Sequence, residues 1–411
     1  MRLRRRHAIL RASAGVLHGV VCAWLGSTSA LAAQNSPACQ SLSKTLDAEP
    51  AGPVFLASYP TVKEGPLQGV AFLYDNAVAT IALVACGEPQ KAKRIGDAML
   101  IALDHDRYWH DGRLRNGYAA GPVPSGPVKL AGWWDTKQNQ WVEDRYQVGS
   151  DNGNMAWAML ALLTLDQTAD DRRYRDGAGR IAAWVAQWRD KRGAGGFTGG
   201  TFAFEPAPDS LKWKSTEHNT DLAAAFSWLA QASHDQTWLK PARSAAKFVG
   251  AMWTPRCACF AVGTGEDGRT RNVLLALDAQ IWPLLALPQA ASRYRVAVKS
   301  VESKLGQDGG FAYGATKQGL WTEGTAQTAL LLALMGREAE ANRLDKVVEG
   351  MRAPDGFYYA ANAQALPTGF MLDTDPSQPR VYFHIPHLAA LSWAALAARR
   401  FNPFTGTKAL P

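Results

Sequence analysis

Three features of this 411-residue chain predict an all-α fold of helical hairpins closed into a ring. Six apolar helical stretches each open on a polar cluster, and five of those clusters hold a carboxylate: Tyr74-Asp75-Asn76, Ser150-Asp151-Asn152, Thr216-Glu217-His218-Asn219, Leu277-Asp278-Ala279-Gln280 and Thr322-Glu323-Gly324. The sixth carries His384 and His387 instead. Five of the stretches lead at once into a more charged, amphipathic helix, and the links alternate strictly between short and long.

Apolar periodicity places the first helix of each pair at roughly 74–86, 150–166, 216–232, 277–288, 322–336 and 384–399. Runs such as Met155-Ala156-Trp157-Ala158-Met159-Leu160 are apolar all round and must be buried. The second helices fall near about 90–104, 171–189, 237–253, 291–305 and 338–350, each able to bury one face and wet the other. Ser36 to Leu46 is expected to supply the missing sixth outer helix. Links such as Gly87 to Gln90 are short, whereas residues 105–149, 190–215, 254–276 and 351–383 form long ones. Every long link returns to the end where an inner helix begins, so one face collects all the loops, and loops of that length usually carry function. Glycine-aromatic pairs recur in them, at Gly196-Phe197, Gly310-Phe311 and Gly356-Phe357, with Cys259-Phe260 in the same place; short β-ribbons latching the loops are expected. Pro283 falls inside the fourth inner helix, where it predicts a kink or a later start.

Arg2, Arg4, Arg5, Arg6 and Arg11 precede or open an apolar run from Ala12 to Leu25, and Ala30-Leu31-Ala32-Ala33 follows. That is a secretory signal pattern; about 14 residues fall short of the roughly 18 to 20 that span a bilayer. The expected organisation is a signal over residues 1–33 and one ring domain over residues 34–411, periplasmic or secreted, with no membrane insertion after cleavage. Cleavage removes five arginines and no acid, lowering the formal charge from +8 to about +3. No basic stripe remains to bind nucleic acid. The mature chain is expected to act as a monomer.

Four cysteines survive cleavage, and an oxidising compartment permits disulfides. Cys39 with Cys86 would tie the N-terminal helix to the first inner helix. Cys257 and Cys259 have no His or Cys partner at a structural-zinc spacing, so no metal is expected. There is no phosphate-binding glycine loop and no nucleophile elbow, hence no cofactor.

Six hairpins in a ring, long loops on one face, acids at the inner-helix starts and an export signal together resemble the six-hairpin (α/α)6 glycosidase-like superfamily over nearly the whole mature chain. The resemblance is architectural. It implies an (α/α)6 barrel, or toroid, bearing a carbohydrate-active enzyme whose cleft lies over the inner-helix N-termini.

Glycosidic cleavage needs one carboxylic acid to protonate the departing oxygen and a second carboxylate to activate water or attack carbon. Packed helices lie about 8 to 10 Å apart, overlapping the roughly 6.5 to 9.5 Å separation of inverting enzymes. Helix capping competes as an account of each cluster, since Asp, Ser, Thr and Asn accept from free backbone amides. Capping accounts best for Ser150, Thr216 and Thr322, and equally well with chemistry for Asp75 and Asp278. Glu217 and Glu323 are weaker caps, each preceded by a threonine, so their longer side chains are free to reach the cleft. Asp221 lies one turn below Glu217, where a second negative charge would raise its pKa. Glu217 is therefore expected as general acid and Asp151 as base, with Glu323 the first substitute for either. Tyr74, Asp75, Asn152, His218, Asn219, Asp278 and His384 would line the substrate, and Trp134, Trp213 and Trp321 would stack on sugar faces, although tryptophan more often packs cores.

Three other functions fit the same ring. A polysaccharide lyase would use His218, Asn219, Tyr74 and Arg115 around a uronate, against the objection of an acidic cleft. A sugar epimerase would use His218, His384 and His387. A non-catalytic glycan-binding protein of a polysaccharide export system is the third.

Overall fold

The structure, a computed structural model, describes residues 36–372 and 374–408; the export signal read at residues 1–33 lies outside them. Thirteen helices occupy the described residues: α1 Pro37–Asp47, α2 Leu73–Ala85, α3 Pro89–Asp104, α4 Asn152–Ala169, α5 Arg172–Ala186, α6 Thr216–Ser233, α7 Leu239–Met252, α8 Asp278–Ala286, α9 Ala290–Arg293, α10 Val296–Leu305, α11 Thr322–Leu334, α12 Glu338–Glu349 and α13 Leu388–Ala398.

The apolar helices α2, α4, α6, α8, α11 and α13 pack each against the next, and α13 packs back onto α2, so their contacts run in a closed cycle. Their side chains are buried on all sides, as at Met155 through Leu163. The amphipathic helices α3, α5, α7 and α12 each pack on the inner helix before them, and α1 takes the outer place beside α13. Two boundaries depart from the periodicity. Pro283 cannot donate to the carbonyl one turn back, and α8 stops after 9 residues, with its outer partner broken into α9 and α10. The last inner helix begins at Leu388 rather than near residue 384, because Pro386 and His387 pair as a strand with Tyr358 and Tyr359.

Backbone pairing stitches the rim. The segment before each inner helix bonds to the loop leading to the next: Val70–Phe72 to Gly117–Ala119, Ser150–Asp151 to Gly200–Phe202, Lys214–Ser215 to Gly263–Thr264, and Ala276 and Trp321 to Gly314 and Ala361. Leu388 N–H donates 2.9 Å to Ser58 O and completes the circuit. Gly263, at φ +154°, has no room for a Cβ, which would lie 1.9 Å from Lys214 O.

Amides on the inner helices reinforce these stitches. Asn76 brackets the N–H and C=O of Leu56, Asn219 those of Phe197, and Gln280 those of Phe260, at 2.7–3.0 Å. The glycine-aromatic repeat thus marks loops latched through their backbone as well as their rings. Ser150, Thr216 and Thr322 are not caps: each hydroxyl donates to a neighbouring loop carbonyl, of Leu114, Ala261 and Tyr359, at 2.6–2.7 Å. A cap residue accepts, whereas these donate sideways, and Ser215 caps α6 instead.

Trp157, Trp282 and Trp393, from three inner helices, meet Phe404 and fill the ring interior, with centroids 5.1–6.2 Å apart. Disulfides join Cys39 to Cys86 and Cys257 to Cys259. The first fixes α1 against the end of α2; the second closes within one hairpin, so these two thiols are not metal ligands here.

Candidate active site

The inner-helix starts bring two groups of polar side chains to the stitched face. One belongs to α2, α11 and α13. The Tyr74 hydroxyl donates a short hydrogen bond to Glu323 Oε1 and accepts from the Trp393 indole at 2.8 Å. His387 Nε2 lies 3.2 Å from Asp75 Oδ2 and its Nδ1 lies 4.0 Å from Glu323 Oε2. Tyr59 stacks on the imidazole at 4.6 Å. Asp75 is therefore a charge partner for histidine and not a cap.

Burial pushes the Glu323 carboxyl up to about 7, against the opposing pull of His387 and the Tyr74 hydrogen bond, with Asp75 and Asp278 adding to the rise. At neutral pH it is poised between acid and carboxylate. Burial works against charge on His387, yet the Asp75 carboxylate and then Glu323 raise its pKa overall. The Tyr74 hydroxyl, raised by burial and by Glu323, remains a donor. Glu323 Oε2 and His387 Nδ1 are buried with no hydrogen-bond partner among the described residues, leaving two polar atoms side by side for a proton or a ligand.

The second group belongs to α6 and α8. Glu217 is half-buried and shares a hydrogen bond with Asp278, which also accepts from the Ala279 N–H at 2.6 Å and has the Tyr313 hydroxyl nearby. Burial and then Asp278 raise Glu217 well above the usual carboxylate range, so Asp278 stands ahead of Asp221, the charge the sequence suggested. Asp221, one turn deeper and fully buried, is itself raised by burial and by Glu217. The Trp157 indole faces Asp221 without closing a hydrogen bond of ordinary geometry. Two carboxyls with raised pKa values in contact hold a proton between them. The groups sense each other, since Glu323 raises Glu217 and Asp278 raises Glu323.

Asp151 stands at the start of α4 beside α6, 7 % exposed, its N–H bound by Asn116 Oδ1 at 2.7 Å and its carboxylate not capping the helix. The structure brings Tyr74, Asp75, Glu217, His218, Asp278 and Glu323 to the mouth of the ring. Asn152 and Asn219 are corrected: their buried amides hold the loop carbonyls of Thr198 and Phe197, which leaves them structural. Trp321, 1 % exposed, packs on Tyr313 and Tyr382 and offers no free face to a sugar. His384 stacks on Tyr359 at 4.0 Å and bonds Ala361 O through Nδ1, tying down the ribbon. Arg115 is fully buried against Asp106 and Glu205, out of reach of any substrate.

The His218 ring lies over Gly153, where a Cβ would come within 2.4 Å of it, and 5.5 Å from the half-buried Trp213. Burial, helped by Arg380, lowers its pKa to about 4, so it is neutral at pH 7. Trp134 is 54 % exposed on a hairpin, opposite an equally exposed Trp141. Tyr59, Tyr313, Tyr382 and Arg380 were missed in the sequence. Tyr313 alone had a signal, ending the Gly310-Phe311 repeat; the others sit in loops without periodicity.

No protein-family model matches the sequence, and no curated protein matches it either. Solved structures do share the fold. A glutamate-to-alanine variant of a glycosidase superposes with a TM-score of 0.63 at 15% identity, over 91% of this chain and 98% of that one. Cellobiose 2-epimerase from Spirochaeta thermophila gives 0.62 at 13% identity, over 92% and 98%. An α-amylase from Clostridium perfringens gives 0.59 at 10% identity, over 89% and 96%.

Proposed function

We propose that this chain is an exported glycoside hydrolase acting on a poly- or oligosaccharide at the mouth of an (α/α)6 toroid. The observation that carries the reading is a pair of glutamates on separate inner helices, Glu217 and Glu323, with raised pKa values and electrostatic sight of each other. The shared fold with glycosidases and an amylase supports action on sugars.

In this reading Glu217, kept protonated by burial and Asp278, delivers its proton to the departing glycosidic oxygen. Glu323, steered by Tyr74, takes a proton from water as that water attacks the anomeric carbon, so the bond to the leaving sugar breaks with inversion. Glu323 takes precedence over Asp151 as base because Glu323 is among the charges that act on Glu217. Trp213 beside His218 and the exposed Trp134 are the sugar platforms. The test is incubation of the mature protein with a panel of bacterial and plant glycans, reading reducing ends and product mass. New reducing ends that vanish in both Glu217→Gln and Glu323→Gln support the reading; wild-type turnover in both sinks it.

One observation favours an epimerase as second reading. His218 lies in the first turn of α6 and His387 immediately precedes α13, three places apart in a six-membered cycle and so on opposite sides, and cellobiose 2-epimerase shares the fold. Isomerised product without new reducing ends, carrying solvent deuterium, would replace the hydrolase reading.

A further inference from the structure

The longest ribbon, Ala365–Met371 paired with Pro379–Phe383, brings over the mouth a side chain that the chemistry above does not use. Strand pleating puts residues two apart on one face. Tyr382 lies against Trp321 and Tyr313, at 5.3 and 5.7 Å, so Arg380 shares the face turned to the site. Thr368 Oγ1 anchors the Arg380 carbonyl at 2.8 Å, which fixes the backbone from which the guanidinium extends.

Several arginines elsewhere in the molecule close on carboxylates, as Arg107 does on Glu143 and Arg337 on Glu302. The Arg380 guanidinium makes no hydrogen bond and no ion pair among the described residues, although it faces Glu217, Tyr146, Tyr313 and Tyr382. Arg380 is exposed to solvent on the face of the ribbon turned to the site. Glu217 and Asp278, which share one proton, offer it a single charge without closing an ion pair on it, and the tyrosines are neutral. A planar fork of five donors, positive at all working pH values, is left without its natural complement in a site otherwise furnished with acceptors.

We propose that Arg380 is a subsite for a carboxylate carried by the glycan, so that the sugar bound beside Glu217 is a uronic acid. This deepens, and rests on, the glycan-cleaving reading. The objection of an acidic cleft weakens, because Glu217, which faces Arg380, has its carboxyl raised well above the usual range, while Asp75 pairs with His387 across the mouth. Arginine gives a bidentate grip that lysine cannot reproduce.

The test compares D-glucuronate with D-glucose, which differ at C6 alone, by calorimetric titration of the full mature protein and of Arg380→Gln and Arg380→Lys. Glucuronate should bind wild type at least tenfold tighter than glucose. Arg380→Gln should erase that difference with glucose binding unchanged, and Arg380→Lys should restore part of it. Equal affinity of wild type for both sugars overturns the proposal, as does discrimination that survives in Arg380→Gln. An Arg380→Gln protein that shifts only the pH profile on a neutral glycan assigns the arginine to tuning Glu217 and also overturns it. Because binding is read apart from cleavage, intact discrimination without hydrolysis sinks the hydrolase reading alone. Hydrolysis without discrimination sinks this one alone.

Discussion

The two halves of the mouth treat the same kind of residue in opposite ways. On α6 and α8, three carboxyls, Glu217, Asp221 and Asp278, crowd together, and burial raises the pKa of each. On α2, α11 and α13, Asp75 meets His387 and Glu323 meets Tyr74, so charge is matched by donors and spread over a hydrogen-bonded array. An aspartate at the first residue of α8 and an aspartate at the third residue of α2 thus differ in role because of what the neighbouring helix presents. The position at an inner-helix start supplies reach, and the neighbour decides the protonation state.

The largest expected effect breaks both halves at once. Glu217→Gln and Glu323→Gln should each lower kcat about 10²- to 10⁴-fold, with circular dichroism unchanged; a loss confined to one of them would assign both roles to one half. Asp278→Asn, by removing the charge that helps raise Glu217, should move the alkaline limb of the kcat/KM profile to lower pH, while Asp75→Asn should leave that limb in place. The acid limb should centre near 7, set by the Glu323 base.

Stability should separate the halves in the opposite sense. The Glu323 pKa is raised from 4.5 to about 7 on folding, so the proton binds the folded state more tightly, and stability falls as pH rises through that window. Glu323→Gln should therefore be more stable than wild type at pH 8, on the order of 2–3 kcal/mol, and lose that advantage below about pH 4.5 in urea titrations. The smallest effect is Tyr74→Phe. Tyr74 hydrogen-bonds the carboxylate form of Glu323, so its loss should shift the acid limb above 7 and reduce activity at pH 7 by less than tenfold.

Much of the ring was legible because its signals are local. Apolar periodicity located the starts of α2, α6, α8 and α11 within a residue, and the burial of Met155 through Leu163 follows from their having no polar face. Glu217, Asp278 and Glu323 stood out as acids at those starts. The clamping amides and the hydroxyl latches were misread because residues that cap also donate sideways, and sequence does not tell the two apart. His387 lies 312 residues from its partner Asp75, and Arg380 arrives on a ribbon whose Pro-rich, aperiodic loop gives no hint of where it ends. Contacts made across the ring leave no trace in either local sequence.

The seam between Ser58 and Leu388 sets an order of events. Tyr74 receives Trp393 from 319 residues away, and α1 packs chiefly beside α13. α2 must therefore wait for α13, and half of the chemistry at the mouth does not exist until they meet. A chain cut short anywhere before α13 would be silent as well as incomplete, and closure over such sequence distances predicts slow folding. Activity then reports that the two sides of the seam have met.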